Sequence, residues 1–289
     1  MTATVDVVEA IRVKRPTGSF RHDLRAVRVV WQREMIRFTR DRLRIITSLI
    51  QPVLFLFVLG TGLSTITTGS THNVNLRTFM YPGALAMAVL FTAMFSAASI
   101  VWDREFGFLR EMLVAPVSRW SIVLGKCLGG ATTASLQGVI ILALAGVVGV
   151  PYSLSMMVTV FGELLLLAFT LTAFGVMTAA RITQFQAFMA LNQMLLMPLF
   201  FLSGALFPLG NLPGWLQVLT RIDPLTYAVD PVRRTIFAHL HASPAMMARL
   251  NPGVTWGSYR VSTALELLIV AAMGIAMLGV GIWSFKSAD

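Results

Sequence analysis

The chain has 289 residues, 56% hydrophobic and only 12% charged, about half the charged fraction of a soluble domain. A mean hydropathy of +0.75 excludes a single globular core, and unbroken apolar runs in place of short alternating strands exclude a transmembrane barrel. The net charge of +10 would suggest nucleic acid in a soluble protein, but eleven of the 23 Lys and Arg lie within residues 1–44, beside the first apolar run. That is the positive-inside pattern, which places the N-terminus in the cytoplasm and leaves no nucleic-acid role.

Residues 1–18 read as a disordered cytoplasmic tail ending in Arg15-Pro16-Thr17-Gly18, with no signal peptide. From Phe20 the apolar residues Leu24, Val27, Trp31, Met35 and Phe38 recur every three or four positions, while Arg21, Arg25 and Arg28 lie on another face. The spacing predicts an amphipathic interfacial helix over 19–42, with Trp31 at headgroup depth and its arginines toward anionic lipid. Six apolar runs long enough to span follow, at about 43–66, 78–101, 120–149, 152–180, 184–209 and 261–284. Gln51-Pro52 predicts a kink in the first.

Between the second and third runs stands a charged segment, 102–119, carrying Asp103, Arg104, Glu105, Arg110, Glu111 and Arg119. Drawn as one helix, it gathers Trp102, Phe106, Leu109 and Leu113 on one face, with Phe108 opposite them among Arg104 and Glu111. An interfacial helix needs only the first face; an aromatic on the charged face is a handle for a partner protein. In the third run Gly125, Gly129, Gly130, Ala134 and Gly138 follow a four-residue spacing, which suits close packing within a bundle or a dimer face.

After the fifth run, Pro208, Gly210, Pro213, Gly214, Pro224 and Pro231 break the chain into pieces too short to span. They read as two short helices dipping back into the outer leaflet, since irregular backbone at that depth must be buried in protein or lie at the interface. Charge places 64–77, 150–153 and 210–260 outside and both termini inside, although 210–260 carries five arginines.

Catalysis is not expected. Gly125-Lys126 resembles the tail of a phosphate loop, but Trp120 and Cys127 occupy its other fixed positions. The His-x-His pair His239 and His241 has no further ligand nearby in sequence. No Gly-x-Ser-x-Gly elbow is present, and the single Cys127 excludes an internal disulfide. Two acids fall inside runs. Glu266 reads as interfacial, and Glu163 as a polar residue facing a cavity, with a proton path as the alternative role.

Three features together resemble the permease subunit of type-2 ABC exporters, in particular the daunorubicin-resistance-like branch: the helix before the first span, the REFGFLREMLVAPVSRWSIVLGK loop, and FLSGALFPLGNLPGWLQVLTRIDPLTYAVDPVRR with its ordered prolines. The resemblance covers the chain from about residue 20. It implies an all-α polytopic protein of the bacterial plasma membrane, with six transmembrane helices over 43–289. It also implies a cytoplasmic coupling helix over Asp103–Pro116, in which Asp103, Arg104, Glu105, Phe108, Arg110 and Glu111 meet a separate ATP-binding cassette ATPase. Short re-entrant helices at about 211–220 and 225–237 are expected as an outer gate, with Phe207, Pro208, Pro213, Trp215, Pro224 and Tyr227. This chain would hold no cofactor of its own, ATP and Mg binding in the ATPase. Its other partners would be a second permease copy or a homologous one, and membrane lipids. The function implied is efflux of hydrophobic or amphipathic compounds, including antibiotic resistance. Export of a cell-envelope polysaccharide or glycolipid is the alternative on the same fold, and a proton-coupled secondary transporter working through Glu163 is an alternative of another class.

Overall fold

A computed structural model describes residues 20–62, 76–108, 117–210, 212–240, 251–256 and 259–287. Helix α1 (Phe20–Arg40) is joined through Asp41 to α2 (Arg42–Leu54). Asp41 caps α2, its carboxylate accepting the Arg44 N–H at 3.1 Å and so satisfying one orphan donor of the first turn. Pro52 sits inside α2, which runs on through a π-helical turn, Phe55–Leu59. Proline withholds an N–H from the ladder, and a wider turn beside it absorbs the fault. The chain then forms α3 (Leu76–Glu105), α4 (Arg119–Leu142), α5 (Leu154–Ala179) and α6 (Phe185–Leu202). Two short helices follow, α7 (Gly214–Ile222) and α8 (Pro224–Ala238). A two-residue antiparallel ribbon, Thr255–Trp256 against Tyr259–Arg260, leads into α9 (Thr263–Ser287).

Among the described residues five stretches are long and apolar enough to cross a membrane: Arg42–Leu59, Arg77–Glu105, Leu154–Ala179, Phe185–Leu202 and Thr263–Phe285. The expected third span, α4, is a 24-residue helix, about 36 Å long at 1.5 Å per residue, but it is more polar than the others. Its Ser121, Lys126, Thr133, Ser135 and Gln137 are all buried, so the polarity that lowers its hydropathy faces protein, where a polar side chain can be satisfied. Gln137 donates to the Ile45 carbonyl at 3.0 Å and to Ser48, tying α2 to α4. Two runs end sooner than hydropathy predicts. Helix α4 stops at Leu142, short of residue 149, and α6 at Leu202, short of 209. A 3-10 turn, Ala145–Val148, follows α4 and ends at Gly149, and Gly204 turns the chain two residues past α6; both glycines are at positive φ, which glycine adopts without a Cβ clash.

Helices α3, α4 and α5 pack against one another as the centre. Along α4 lies α1, on α5 lies α9, and α2 and α6 flank α3; α8 is wedged among α3, α5 and α9. The glycines of α4 serve this packing within one chain. A Cβ at Gly125 would stand 2.8 Å from Val30, and one at Gly129 2.7 Å from Glu34, both on α1. Gly130 is as close to Thr172 of α5, and Gly138 meets Val89 of α3. Small residues thus let α1 on one side and α3 and α5 on the other approach α4 closely. Helix α1 is therefore more than an interfacial float: Trp31 donates its indole N–H to Thr132 of α4 at 3.1 Å, while Phe20, Leu24, Val29 and Ile36 stay exposed.

Candidate functional site

The last turn of α3 is where four parts of the chain meet. Asp103, 2% exposed, accepts from Arg33 of α1 through both oxygens, at 2.7 and 2.8 Å. It also takes Lys126 of α4 at 2.6 Å. Lys126, itself 3% exposed, adds Glu34 of α1 at 3.2 Å and Ser99 at 3.1 Å. A lone buried cation or carboxylate would be strongly disfavoured; shared among partners that fill its hydrogen-bonding capacity, it holds them in place. The next residue, Arg104, donates to the carbonyls of Ile182 at 2.7 Å and Ala180 at 2.8 Å, in the link between α5 and α6, and lies over the Phe285 ring of α9. Glu105 accepts the first N–H of α6, from Phe185, at 2.9 Å, where a carboxylate also complements the helix dipole.

This corrects the helical-wheel expectation for 103–108. Helix α3 ends at Glu105, and Gly107 at φ 82 turns the chain, so Phe106 and Phe108 do not take opposite faces of one helix. Both are exposed, Phe108 by 51%. Of the residues expected at a docking rim, Asp103 and Arg104 are engaged within the chain, and Glu105 is exposed while holding the Phe185 N–H. Arg110 and Glu111 lie outside the described residues.

Beside this clamp, α1, α2, α3 and α6 enclose a cavity of about 480 Å³. One wall is polar, with Arg37, Asp41, Arg44, Ser48 and Gln51; the other is apolar, with Phe91, Phe95, Trp102, Phe185 and Met189. A second, wider groove of about 790 Å³ shares Arg37, Asp41 and Trp102 with it and reaches Phe108. Such a two-faced wall suits an amphipathic occupant.

At the opposite end α8 carries the polar contacts. Arg234 pairs with Asp230 at 2.5 Å and with Glu266 of α9 at 3.1 Å. Buried Arg233 donates to the Gly204 and Ala205 carbonyls and lies over Phe79. Thr235 donates to Glu163 at 2.8 Å, while the second oxygens of Glu163 and Glu266 have no partner among the described residues. Glu163 thus points at α8, and Glu266 is buried within the bundle. Asp223 caps α8, accepting from Leu225 N–H at 2.9 Å and from Thr226 at 3.2 Å. Burial nevertheless pushes its carboxyl up to about 7, those two donors opposing the shift. Of the expected gate residues, Pro224 and Tyr227 are buried in α8, Phe207 and Pro208 are half-buried, and Pro213 and Trp215 are exposed at the start of α7.

Sequence reasoning missed Arg33, Glu34 and Lys126 as members of the clamp. The available signal was a lysine within a long apolar run, which by default marks a buried partner. Among the described residues no group of three or more His, Cys, Asp or Glu could hold a metal ion.

The model of the ABC-2 type transporter family matches residues 25–237. The Cyanophora paradoxa protein ycf38, which carries a transport-permease name, is 30% identical over 247 residues, covering 84% of this chain and 83% of its own. Nodulation protein J of Rhizobium leguminosarum bv. viciae is 29% identical over 213 residues, 72% of this chain and 80% of that one. YbhR of Escherichia coli K12, named as a multidrug ABC transporter permease, is 31% identical over 161 residues, 55% of this chain and 43% of its own.

Proposed function

The chain belongs to the ABC-2 type transporter family, and we propose that it is the permease subunit of an ATP-driven exporter in a bacterial plasma membrane. The cargo is a hydrophobic or amphipathic compound, drug-like or lipid-like, taken from the cytoplasm or inner leaflet. Helix α4 is the sixth span, and the α1 end, with both termini, faces the cytoplasm, in line with the arginines beside α2. The name of the Escherichia coli relative agrees with such a cargo, as does the two-faced cavity.

The observation that carries this reading is the clamp at the end of α3. Phe108, exposed beyond the end of α3, is the contact on which a separate ATPase docks. Asp103, Arg104 and Glu105 act behind that contact, passing its movement to α1, α4 and α6 at once. A rigid element of this kind transmits a stroke by moving as a body, without a relay of side chains. A second permease covers the open side of α2 and its π-helical turn, where Leu43, Ile46, Ile50, Leu54 and Val58 form an exposed row. Helices α7 and α8, with Phe207 and Pro208, close the outer end of the path.

Interface energy concentrates in buried aromatic anchors. Phe108→Ala is therefore expected to weaken association with the ATPase by about 1–3 kcal/mol, read by copurification and by coupled transport, while insertion and thermal stability hold. Unchanged ATPase recovery and transport would remove the docking role. In a Cys127→Ala background, cysteine at Ser70 is expected to label from outside and at Ser118 from inside; the reverse overturns the orientation.

A further inference from the structure

The cavity beside the clamp has a charge that the exporter reading does not use. Together with the groove it opens into, it is walled by Arg33, Arg37, Arg40 and Arg44 against two carboxylates, Asp41 and Asp103. Asp103 is already matched by Arg33 and Lys126, and the charge of Lys126 is balanced by Glu34. Arg37 makes only a long ion pair with Asp103, at 3.9 Å, without a hydrogen bond. The Asp41 carboxylate faces the backbone N–H of Arg44 as a helix cap. Among the described residues the Arg44 guanidinium makes no hydrogen bond, and only the longer-range attraction of Asp41 and Glu34 opposes its burial. With Lys126 and Glu34 included, five cations face three carboxylates, an excess of two positive charges shared among Arg37, Arg40 and Arg44.

A second observation comes from the other wall. The Thr92 hydroxyl is buried there and has no partner among the described residues, and a buried polar group without a partner marks a place for a bound water or ligand. Around it stand Phe91, Phe95 and Phe185, with Trp102 edge-on to Phe185 at 5.1 Å. A neutral apolar guest would cover the guanidiniums without satisfying them. A cationic aromatic guest would gain the ring faces but meet like charge. An anionic head satisfies both, and charge-assisted bonds to guanidinium are the stronger kind.

We infer that this cavity selects an anionic amphiphile, with a phosphate, sulfate or carboxylate head between Arg37 and Arg44 and an aromatic or alkyl body on Phe91, Phe95 and Phe185. The inference rests on the exporter reading only in taking the bound compound as cargo. Its test is a binding measurement on the purified permease in phosphatidylcholine nanodiscs, with neither ATP nor ATPase. Pyrenebutyrate and its trimethylammonium counterpart serve as matched probes, read by energy transfer from tryptophan, with Trp102→Phe as the reference for signal from this site. The carboxylate probe is expected to bind more tightly, and Arg37→Gln or Arg44→Gln to weaken it by about tenfold each, the change for one lost charged hydrogen bond. Arg44→Lys keeps the charge and is expected to retain most of the binding. This variant and the wild-type probe comparison decide the matter even if a Gln variant fails to fold.

Equal affinity for the two probes, tighter binding of the ammonium, or full carboxylate binding in the double Gln variant overturns the inference. Adding phosphatidylglycerol to the discs identifies the source of the anion. Displacement of the probe assigns a leaflet lipid, and its persistence assigns a dissolved amphiphile; the anionic head holds in both cases. ATP-driven export of a cation without anion binding would break this inference and leave the exporter standing. Anion binding in a chain that recruits no ATPase would break the exporter reading alone.

Discussion

The two ends of the bundle bury charge in opposite ways. At the α1 end, both oxygens of Asp103 are bonded and Lys126 reaches three acceptors on two helices. At the α8 end, Arg233 rests on backbone carbonyls, and Glu163 and Glu266 each keep an oxygen with no partner among the described residues. A saturated network has one arrangement, whereas a network with spare acceptors has others of similar energy. The contrast fits a rigid input at the clamp and a rearrangeable output at the short helices.

The sharpest way to break this comparison is to remove the central cation. Lys126→Met is expected to strand Asp103 and Glu34 and lower stability by about 3–5 kcal/mol, a large share of a total that is commonly about 5–15. Its counterpart at the other end, Glu266→Gln, leaves Arg234 on Asp230 and is expected to cost only about 1 kcal/mol. Thermal unfolding of the detergent-purified variants measures both. Equal losses would mean that the two networks are alike.

A pH series sharpens it further. The folded chain holds the proton of Asp223 up to about 7, against an ordinary value of 3.8. The folded state therefore binds this proton more tightly than the unfolded one. The resulting stability is complete below about pH 4 and is lost as pH rises through about 7. The unfolding midpoint is expected to fall over that window. Asp223→Asn, which keeps a capping oxygen, is expected to flatten the fall; an unchanged slope would place the titration elsewhere.

How far the sequence disclosed this arrangement depended on the range of the interactions. Apolar runs and prolines act locally, so long helices and the two short ones form near the residue ranges read from them, with Pro224 opening α8 as a first-turn proline can. Gly107 was legible as a stop signal, yet drawing 102–119 as one helix passed over it. The clamp was not legible: Glu34 and Lys126 are 92 residues apart, and Arg33 and Asp103 are 70 apart. No local period carries such a pairing, and Gly125-Lys126 offered a familiar false motif instead. The glycine stripe of α4 was visible, but its targets on α1, α3 and α5 required the fold.

The smallest expected effects separate the two short helices from each other. Tyr227 of α8 is buried, donates to the Arg221 carbonyl at 2.9 Å and accepts the Trp256 indole N–H at 3.1 Å. Tyr227→Phe loses both bonds at little change in volume, so about 1 kcal/mol is expected. Helix α7 instead presents Trp215, Val218, Leu219 and Ile222 outward, with Trp215 68% exposed. These positions share one helical face, and an exposed side chain touching nothing within the chain contributes at most about 0.5 kcal/mol to folding. Trp215→Ala should therefore leave unfolding of the detergent-purified monomer unchanged. If α7 is a gate, transport should nevertheless fall, because the face would be covered by the partner permease or by lipid only in the assembled membrane complex. A disulfide between the α7 helices of the two permeases puts the same question directly: export that continues with the crosslink fully formed makes α7 a passive cap that does not move while substrate passes.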